Sequence, residues 1–333
     1  MDPLTSQSEL PLEVIRRLDI NKVPKGTIQR FWLSIIADGM GKPVHVPVII
    51  ARGNLDGPVL GVTAAVRGNE INGIPVIQRL FREIQLDQLR GVLVGVPVMN
   101  MPSLLLRQRA FIDGADLNRV MPGREGGTVS QVYAYRIVDR IIRYFDYLLD
   151  LHTASFGRVN AHYIRADMDD PICRQMALLQ NAQVIVHNLA NDGSLRGAAD
   201  SLGIYGITLE VGSPHTFQKG FIRSGLTGIH NLMHYLDMIP GEIEKPEHEP
   251  YICKSSYWLY SDSGGILTVT PNIGDMIYKG EAIATLRNIF GDVTKTYYAP
   301  EDGIVIGRSI DPINQTGGRI LHLGILADEE KKE

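Results

Sequence analysis

Up to about Tyr235, apolar β-rich runs alternate with segments of helical spacing, and beyond about residue 245 the helical spacing disappears. Val44–Arg52, Pro58–Val66, Gly91–Met99, Tyr147–Leu151 and Ile204–Val211 read as strands. Asn72–Gln85, Val132–Tyr144, Pro171–Asn181 and Gly225–Leu236 read as helices. In Asn72–Gln85 the apolar residues Ile74, Ile77, Leu80, Phe81 and Ile84 fall on one stripe, the mark of a helix buried along one face. Strand and helix in turn predict an α/β domain over residues 1–245, with a mixed, mainly parallel sheet and helices on both faces. In such sheets chemistry gathers beyond the carboxyl ends of strands.

A Pro- and Glu-rich linker, Pro240–Pro250, leads into a stretch with a different texture. Gly264-Gly265, Asn272-Ile273-Gly274-Asp275, Lys279-Gly280-Glu281, Phe290-Gly291-Asp292 and Gly317-Gly318 punctuate short β-branched runs. Turn signals at this density predict a small all-β domain over 246–333. Its order of Gly-Asp, Gly-Glu, Ala299-Pro300 and Gly303 resembles the lipoyl/biotinyl-like barrel-sandwich domains. Where those carry a modified lysine, this chain reads Asn288-Ile289-Phe290-Gly291, so the expectation is a structural domain without a carrier lysine.

A formal charge of -4 argues against a dedicated nucleic-acid binder. Cys173 and Cys253, the two cysteines, make neither a tetrathiolate site nor a secreted disulfide framework. Met1-Asp2-Pro3-Leu4 lacks the look of a signal peptide, and no stretch has the length of a membrane span. The expectation is a soluble cytoplasmic protein, with homo-oligomerisation left open.

Three phrases fall at or just after strand ends: Gly68-Asn69-Glu70, Asp116-Leu117-Asn118-Arg119 and Asp150-Leu151-His152. A catalytic zinc takes three protein ligands and keeps one position open for water. Glu70 and His152 suit two of them, although a helix-start carboxylate and a hydrogen-bonded strand-end histidine are the plainer readings. Arg119 offers a planar fork to a carboxylate. Glu210, at the end of Ile207-Thr208-Leu209, could take a proton from water and pass it to a leaving amine, or simply form a salt bridge. The segment Asn188–Ala198 could line a pocket, with Arg196 binding a second carboxylate or standing in solvent.

In combination these residues resemble the succinylglutamate desuccinylase/aspartoacylase family, a branch of the zinc carboxypeptidase-like fold. The motifs are Gly-Asn-Glu-Ile-Asn-Gly at 68–73, Asn100 with Pro102, Arg109, Asp-Leu-Asn-Arg at 116–119, Asp-Leu-His-Thr at 150–153 and Glu-Val-Gly at 210–212. The resemblance implies hydrolysis of the amide bond of a small N-acyl amino acid. It implies Glu70 and His152 as ligands of one Zn²⁺ per chain, Glu210 as general base and then acid, and Arg109 as the group polarising the carbonyl. Asn118 and Arg119 would hold the substrate carboxylate. The family has histidine where this chain has Arg67, and arginine has no lone pair to give a metal. Arg67 fits an inactivating substitution in a working enzyme or a natural pseudoenzyme that kept its pocket. A replacement ligand, His162 or His215, is the weaker reading. A peptide-cleaving carboxypeptidase is a further alternative, which the added β domain disfavours.

Overall fold

The structure, a computed structural model, describes residues 12–190, 193–246 and 248–327. The readings of Met1–Leu4 and of Asp192 in the 188–198 segment lie outside these residues. The chain opens with β1 (Glu13–Ile15), β2 (Thr27–Ala37), β3 (Pro43–Arg52), β4 (Leu55–Ala64) and α1 (Gly73–Glu83). β5 (Arg90–Val96), α2 (Met101–Leu105), α3 (Val129–Arg140), β6 (Tyr147–His152), β7 (Arg158–Asn160) and β8 (Tyr163–Ala166) follow. Next come α4 (Pro171–Leu178), β9 (Val184–His187), α5 (Leu195–Asp200), β10 (Tyr205–Glu210) and α6 (Lys219–Tyr235). The last part is all strand: β11 (Tyr251–Tyr260), β12 (Gly265–Val269), β13 (Met276–Ile277), β14 (Ala282–Arg287), β15 (Val293–Tyr298), β16 (Gly303–Ser309), β17 (Ile313–Asn314) and β18 (Arg319–Leu326).

One mixed sheet runs in the order β1-β2-β3-β5-β4-β6-β10-β8-β9-β11-β18-β16-β13. Its centre, β5-β4-β6-β10, is parallel throughout. Alternation along these strands feeds two cores, as a pleated strand must. Leu149 and Leu151 of β6 join α1, α4 and α6 on one face, where Val76, Ile77, Leu80, Ile222 and Ile229 are buried. Leu148 points the other way, to the core that holds Tyr133 and Ile137 of α3 and Ala199 of α5. The expected mixed α/β layering, with helices on both faces, is the architecture found.

Element ends shift for local reasons. α3 starts at Val129, three residues before the expected Val132, because Thr128 and Gln131 form a capping box. It stops at Arg140, and 142–144 is a separate 3₁₀ turn. α6 starts at Lys219 because Ile222 and Leu226, four apart, are already on the buried stripe. β1, β2, β7, β8, α2 and α5 were not expected from the sequence.

β11 pairs in parallel with β9, Tyr251 opposite Val184, and so carries the sheet past the linker. A second sheet, β15-β14-β12-β17, covers β18 and β16, and Leu267, Ile277, Leu286, Val305 and Leu323 fill the space between. The hairpin tip between β14 and β15 carries Ile289 and Phe290, both exposed, where a carrier lysine would be sought. β7 pairs with β16, so strands of the C-terminal part stand beside the carboxyl ends of the central sheet. Among the described residues no helix is long and apolar enough to cross a membrane.

Candidate active site

The loop between β4 and α1 is fixed by close packing and by two asparagines. A Cβ at Gly68 would lie 2.0 Å from the Ser103 carbonyl carbon, so only glycine lets the loop rest on α2. Asn100 caps α2 through the Ser103 amide and donates to the Val66 carbonyl at 2.9 Å. Asn72 donates to the Val211 carbonyl at 2.8 Å and accepts from the Gln218 amide at 3.0 Å. The loop is thereby tied to the end of β10, and Arg67 and Glu70 are carried into the site.

Three strand ends meet there. Asp150 and His152 lie two apart on β6 and so share a face. Glu210 of β10 is the parallel register partner of His152. The Asp150 carboxylate accepts from Thr63 of β4 at 2.7 Å and holds His152 Nε2 at 2.7 Å. That leaves Nδ1 of His152 toward Glu70, whose Oε2 lies 2.8 Å away. Glu70 also accepts from Ser155 Oγ at 2.7 Å and from the Thr153 amide at 3.3 Å.

Arg67 enters this cluster directly. Its Nε and Nη2 donate to the Asp116 carboxylate at 3.0 Å each, and its Nη1 lies 3.6 Å from Glu70 Oε1 and 3.4 Å from His152 Nδ1. Arg109 approaches from the other side, with Nη2 2.7 Å from Asp116, Nη1 3.4 Å from Glu70, and a bond to Ser155. Asp116 is thus shared by both guanidiniums and also holds the 117–119 turn through the Asn118 amide.

The charges shift one another in a consistent sense. Burial pushes the Glu70 carboxyl up, but Arg67, with His152 and Arg109, outweighs burial and holds it ionised. Burial works against the Arg67 charge, and Glu70 and Asp116 overcome it and raise the guanidinium further. The Asp116 carboxyl is likewise penalised by burial and brought down to about 2 by Arg67 and Arg109. Burial disfavours charge on His152, but Asp150 and Glu70 overcome it and raise the imidazole. Glu210 goes the other way, raised first by burial and then by the Glu70 charge. A carboxyl raised in this way holds a proton more readily than a free glutamate, which suits it to proton transfer.

These groups open on a cavity of about 290 Å³ lined by Arg67, Glu70, Arg109, Asn118, Arg119, His152, Arg196 and Glu210. Glu70, Arg109, Asn118, Arg119, His152, Arg196 and Glu210, the site residues expected from the sequence, therefore line one cavity together with Arg67. Asn118 uses its side-chain oxygen for the Leu195 amide at 2.8 Å, which leaves its NH₂ as the donor for a ligand. Arg196 is buried, and its guanidinium braces the Asn188 carbonyl at 2.8 Å. His162 and His215 do not line the cavity. His162 has its ring nitrogens against the carbonyls of Glu210 and Gln180, and the exposed His215 packs on Phe156.

Sequence reasoning gave no role to Asp116, Asp150, Ser155 or Asn160, and missed the C-terminal contributions of Trp258, Arg319 and His322. The Asp150 role was discoverable, since an acid two residues before a strand-end histidine must share its face. Asp167, Asp169 and His187 form another group with ligand atoms within 4.8 Å of one another, but they line no part of this cavity.

Residues 56–236 match the succinylglutamate desuccinylase/aspartoacylase catalytic domain. The chain belongs to this family. An N-alpha-acetyl-L-2,4-diaminobutyric acid deacetylase of Halomonas elongata is 25% identical over 280 residues, 80% of this chain and 81% of that protein. A succinylglutamate desuccinylase of Pseudomonas paraeruginosa is 27% identical over 219 residues, 61% of this chain and 64% of that protein. Both relatives are deacylases by name. A product-bound ectoine utilization protein EutE (DoeB) of Ruegeria pomeroyi superposes with a TM-score of 0.82 at 21% identity, covering 91% of this chain and 98% of that one. A succinylglutamate desuccinylase/aspartoacylase of Rhodobacter sphaeroides gives a TM-score of 0.83, also at 21% identity, over 95% and 100%. At these identities the superpositions establish the fold.

The zinc that the family resemblance implies does not fit the residues present. A ligand set needs lone pairs turned to a common point at about 2 Å. Here Glu70 and His152 face each other, and a guanidinium without a lone pair fills the third position. The charges of Arg67 and Arg109 already balance those of Glu70 and Asp116, two against two. A divalent cation would add to a cluster that is neutral without it.

Proposed function

We propose that this chain recognises a small N-acylated amino acid in the Arg119–Glu210 cavity, and that zinc-dependent hydrolysis of its amide bond is impaired by Arg67. The carrying observation is the Arg67 guanidinium, held by Asp116 and lying 3.4 Å from His152 Nδ1 and 3.6 Å from Glu70. Membership in a family whose relatives are deacylases supports the reaction class. In this reading Asn118 and Arg119 hold the amino-acid carboxylate, Arg109 sits beside the acyl carbonyl, and Glu210 manages the proton. Glu70 and His152 are what remains of the ligand set.

A second reading is favoured by the completeness of the Arg67 network: a metal-free binding or regulatory protein that kept its pocket. The two differ in whether replacing one residue restores chemistry. Metal analysis after dialysis, with calorimetry on N-acetyl and N-succinyl amino acids, tests the shared core. The expected result is saturable binding with substoichiometric zinc and little turnover. Tightly held stoichiometric zinc with rapid hydrolysis would refute impairment. Turnover restored in Arg67→His supports an impaired enzyme, and binding without restored turnover supports the binding protein.

A further inference from the structure

The wall of the cavity built by the C-terminal strands has its own chemistry. Arg158 of β7 and Arg319 of β18 line it with Trp258 of β11. Both guanidinium carbons lie over the Trp258 ring, at 5.5 Å and 5.6 Å from its centroid, and Arg319 also lies 5.7 Å from that of Tyr260. Among the described residues neither side chain is paired with a carboxylate, in contrast to Arg67 and Arg109 at the other end. His322 stacks on Trp258 at 5.1 Å and 9°, is 2% exposed, and among the described residues has no hydrogen-bond partner for Nδ1.

We propose that Arg158 and Arg319, braced on Trp258, form an anion subsite for a second carboxylate or phosphate-type group, separate from the carboxylate assigned to Asn118 and Arg119. The aromatic face orients the guanidiniums without neutralising them. Two guanidiniums set against one ring repel each other, a cost that a bound anion would relieve, and the cavity focuses the field that draws it in. Burial, then the charges of Arg319 and Arg109, pull the Arg158 guanidinium down to about 10, as expected of a cation lacking its counter-ion. Burial and the surrounding arginines lower His322 well below its usual range, so the imidazole adds a neutral polar edge. The ligand class is an acyl amino acid, or similar small molecule, with at least two separated anionic groups. Only the placement of the remainder of the ligand rests on the function proposed above.

The test uses the Trp32→Phe protein, in which Trp258 is the sole tryptophan, since the chain has two. Inorganic phosphate and citrate are titrated against Trp258 fluorescence, with chloride at matched ionic strength as control. Phosphate or citrate should give a saturable change that chloride does not, and the tighter of the two names the preferred group. Arg158→Gln and Arg319→Gln should each weaken it about ten- to a hundredfold, the loss of a charge-assisted hydrogen bond, with Arg158→Lys between them and the parent. Arg319 is exposed, so its variant keeps the fold, and circular dichroism checks both. Variants that titrate like the parent, or a chloride response of equal size, would overturn the subsite. An arginine-dependent phosphate or citrate response in a protein that ignores N-acyl amino acids would support the subsite while removing the function proposed for the cavity.

Discussion

Replacing Arg67 by histidine should make the stability of this protein depend on zinc, which the parent's does not. The guanidinium makes hydrogen bonds to Asp116 and faces a Glu70 that is 1% exposed. Removing one partner of a buried ion pair costs about 3–5 kcal/mol, because a charge is left without its counter-ion. Here the lower end applies. Asp116 keeps Arg109 at 2.7 Å, and Glu70 keeps Ser155 at 2.7 Å and His152 at 2.8 Å. Metal-free Arg67→His should therefore be less stable than the parent by about 3 kcal/mol. Zinc that binds only the folded form stabilises by about 2.7 kcal/mol at a hundred times its Kd, so saturating zinc should return most of the loss. Urea unfolding followed by circular dichroism, in chelator and in zinc, measures all four states. If Arg67→His in chelator matches the parent, the Arg67 network contributes nothing. If zinc shifts the parent as much as it shifts Arg67→His, the metal binds in spite of the guanidinium and the fit argument fails.

Further expectations follow from single residues. In the Arg67→His background, Glu210→Gln should leave zinc bound and lower turnover by about 10²–10⁴, the usual loss of a general acid–base group; zinc analysis beside kcat separates this from a ligand role. In the same background Arg119→Ala should chiefly raise KM, because the carboxylate proposed to lie there does not change charge during reaction, whereas Arg109→Ala should chiefly lower kcat; methyl-ester substrates should reproduce the Arg119 effect alone. Gly61→Ala would place a Cβ 2.1 Å from the Phe145 ring and should destabilise by about 1–3 kcal/mol through overpacking, read as a lowered urea midpoint with an unchanged slope.

The central sheet was legible because its strands are buried on both faces and its helices are striped on one. Continuous apolar runs such as Gly91–Met99 and the stripe from Ile74 to Ile84 leave little choice of period. β8 escaped because a four-residue strand, Tyr163–Ala166, gives no period to detect. The motifs around Glu70, His152 and Glu210 were legible because they end or follow strands, whereas Asp116–Arg119, expected at a strand end, is a 3₁₀ turn beyond α2. What the cavity draws from the C-terminal part was not, since Trp258 and Arg319 reach it through the β9–β11 and β7–β16 pairings, contacts between distant segments. Arg67 was visible as a residue without a lone pair. That it would pair with Asp116, forty-nine positions away, was not.

That pairing explains how so complete a motif set can coexist with a missing ligand. Glu70 and Asp150 flank one imidazole, Asp116 and Glu210 stand close by, and the buried charges of Glu70 and Asp116 need cations beside them. In a zinc site the metal supplies the compensation. Here Arg67 and Arg109 supply it, and Arg67 does more than balance charge. Asp116 holds Arg67 and Arg109 together, and Arg109 in turn reaches Ser155 and Glu70. The guanidinium thus keeps Arg109 and the 117–119 turn, with Asn118 and Arg119, in a fixed arrangement without any ion. In the function proposed above, recognition of a carboxylate would depend on that arrangement, whereas activation of water would depend on a metal whose place Arg67 takes. On that proposal binding and hydrolysis rest on different residues, so a single substitution at position 67 should alter one and spare the other.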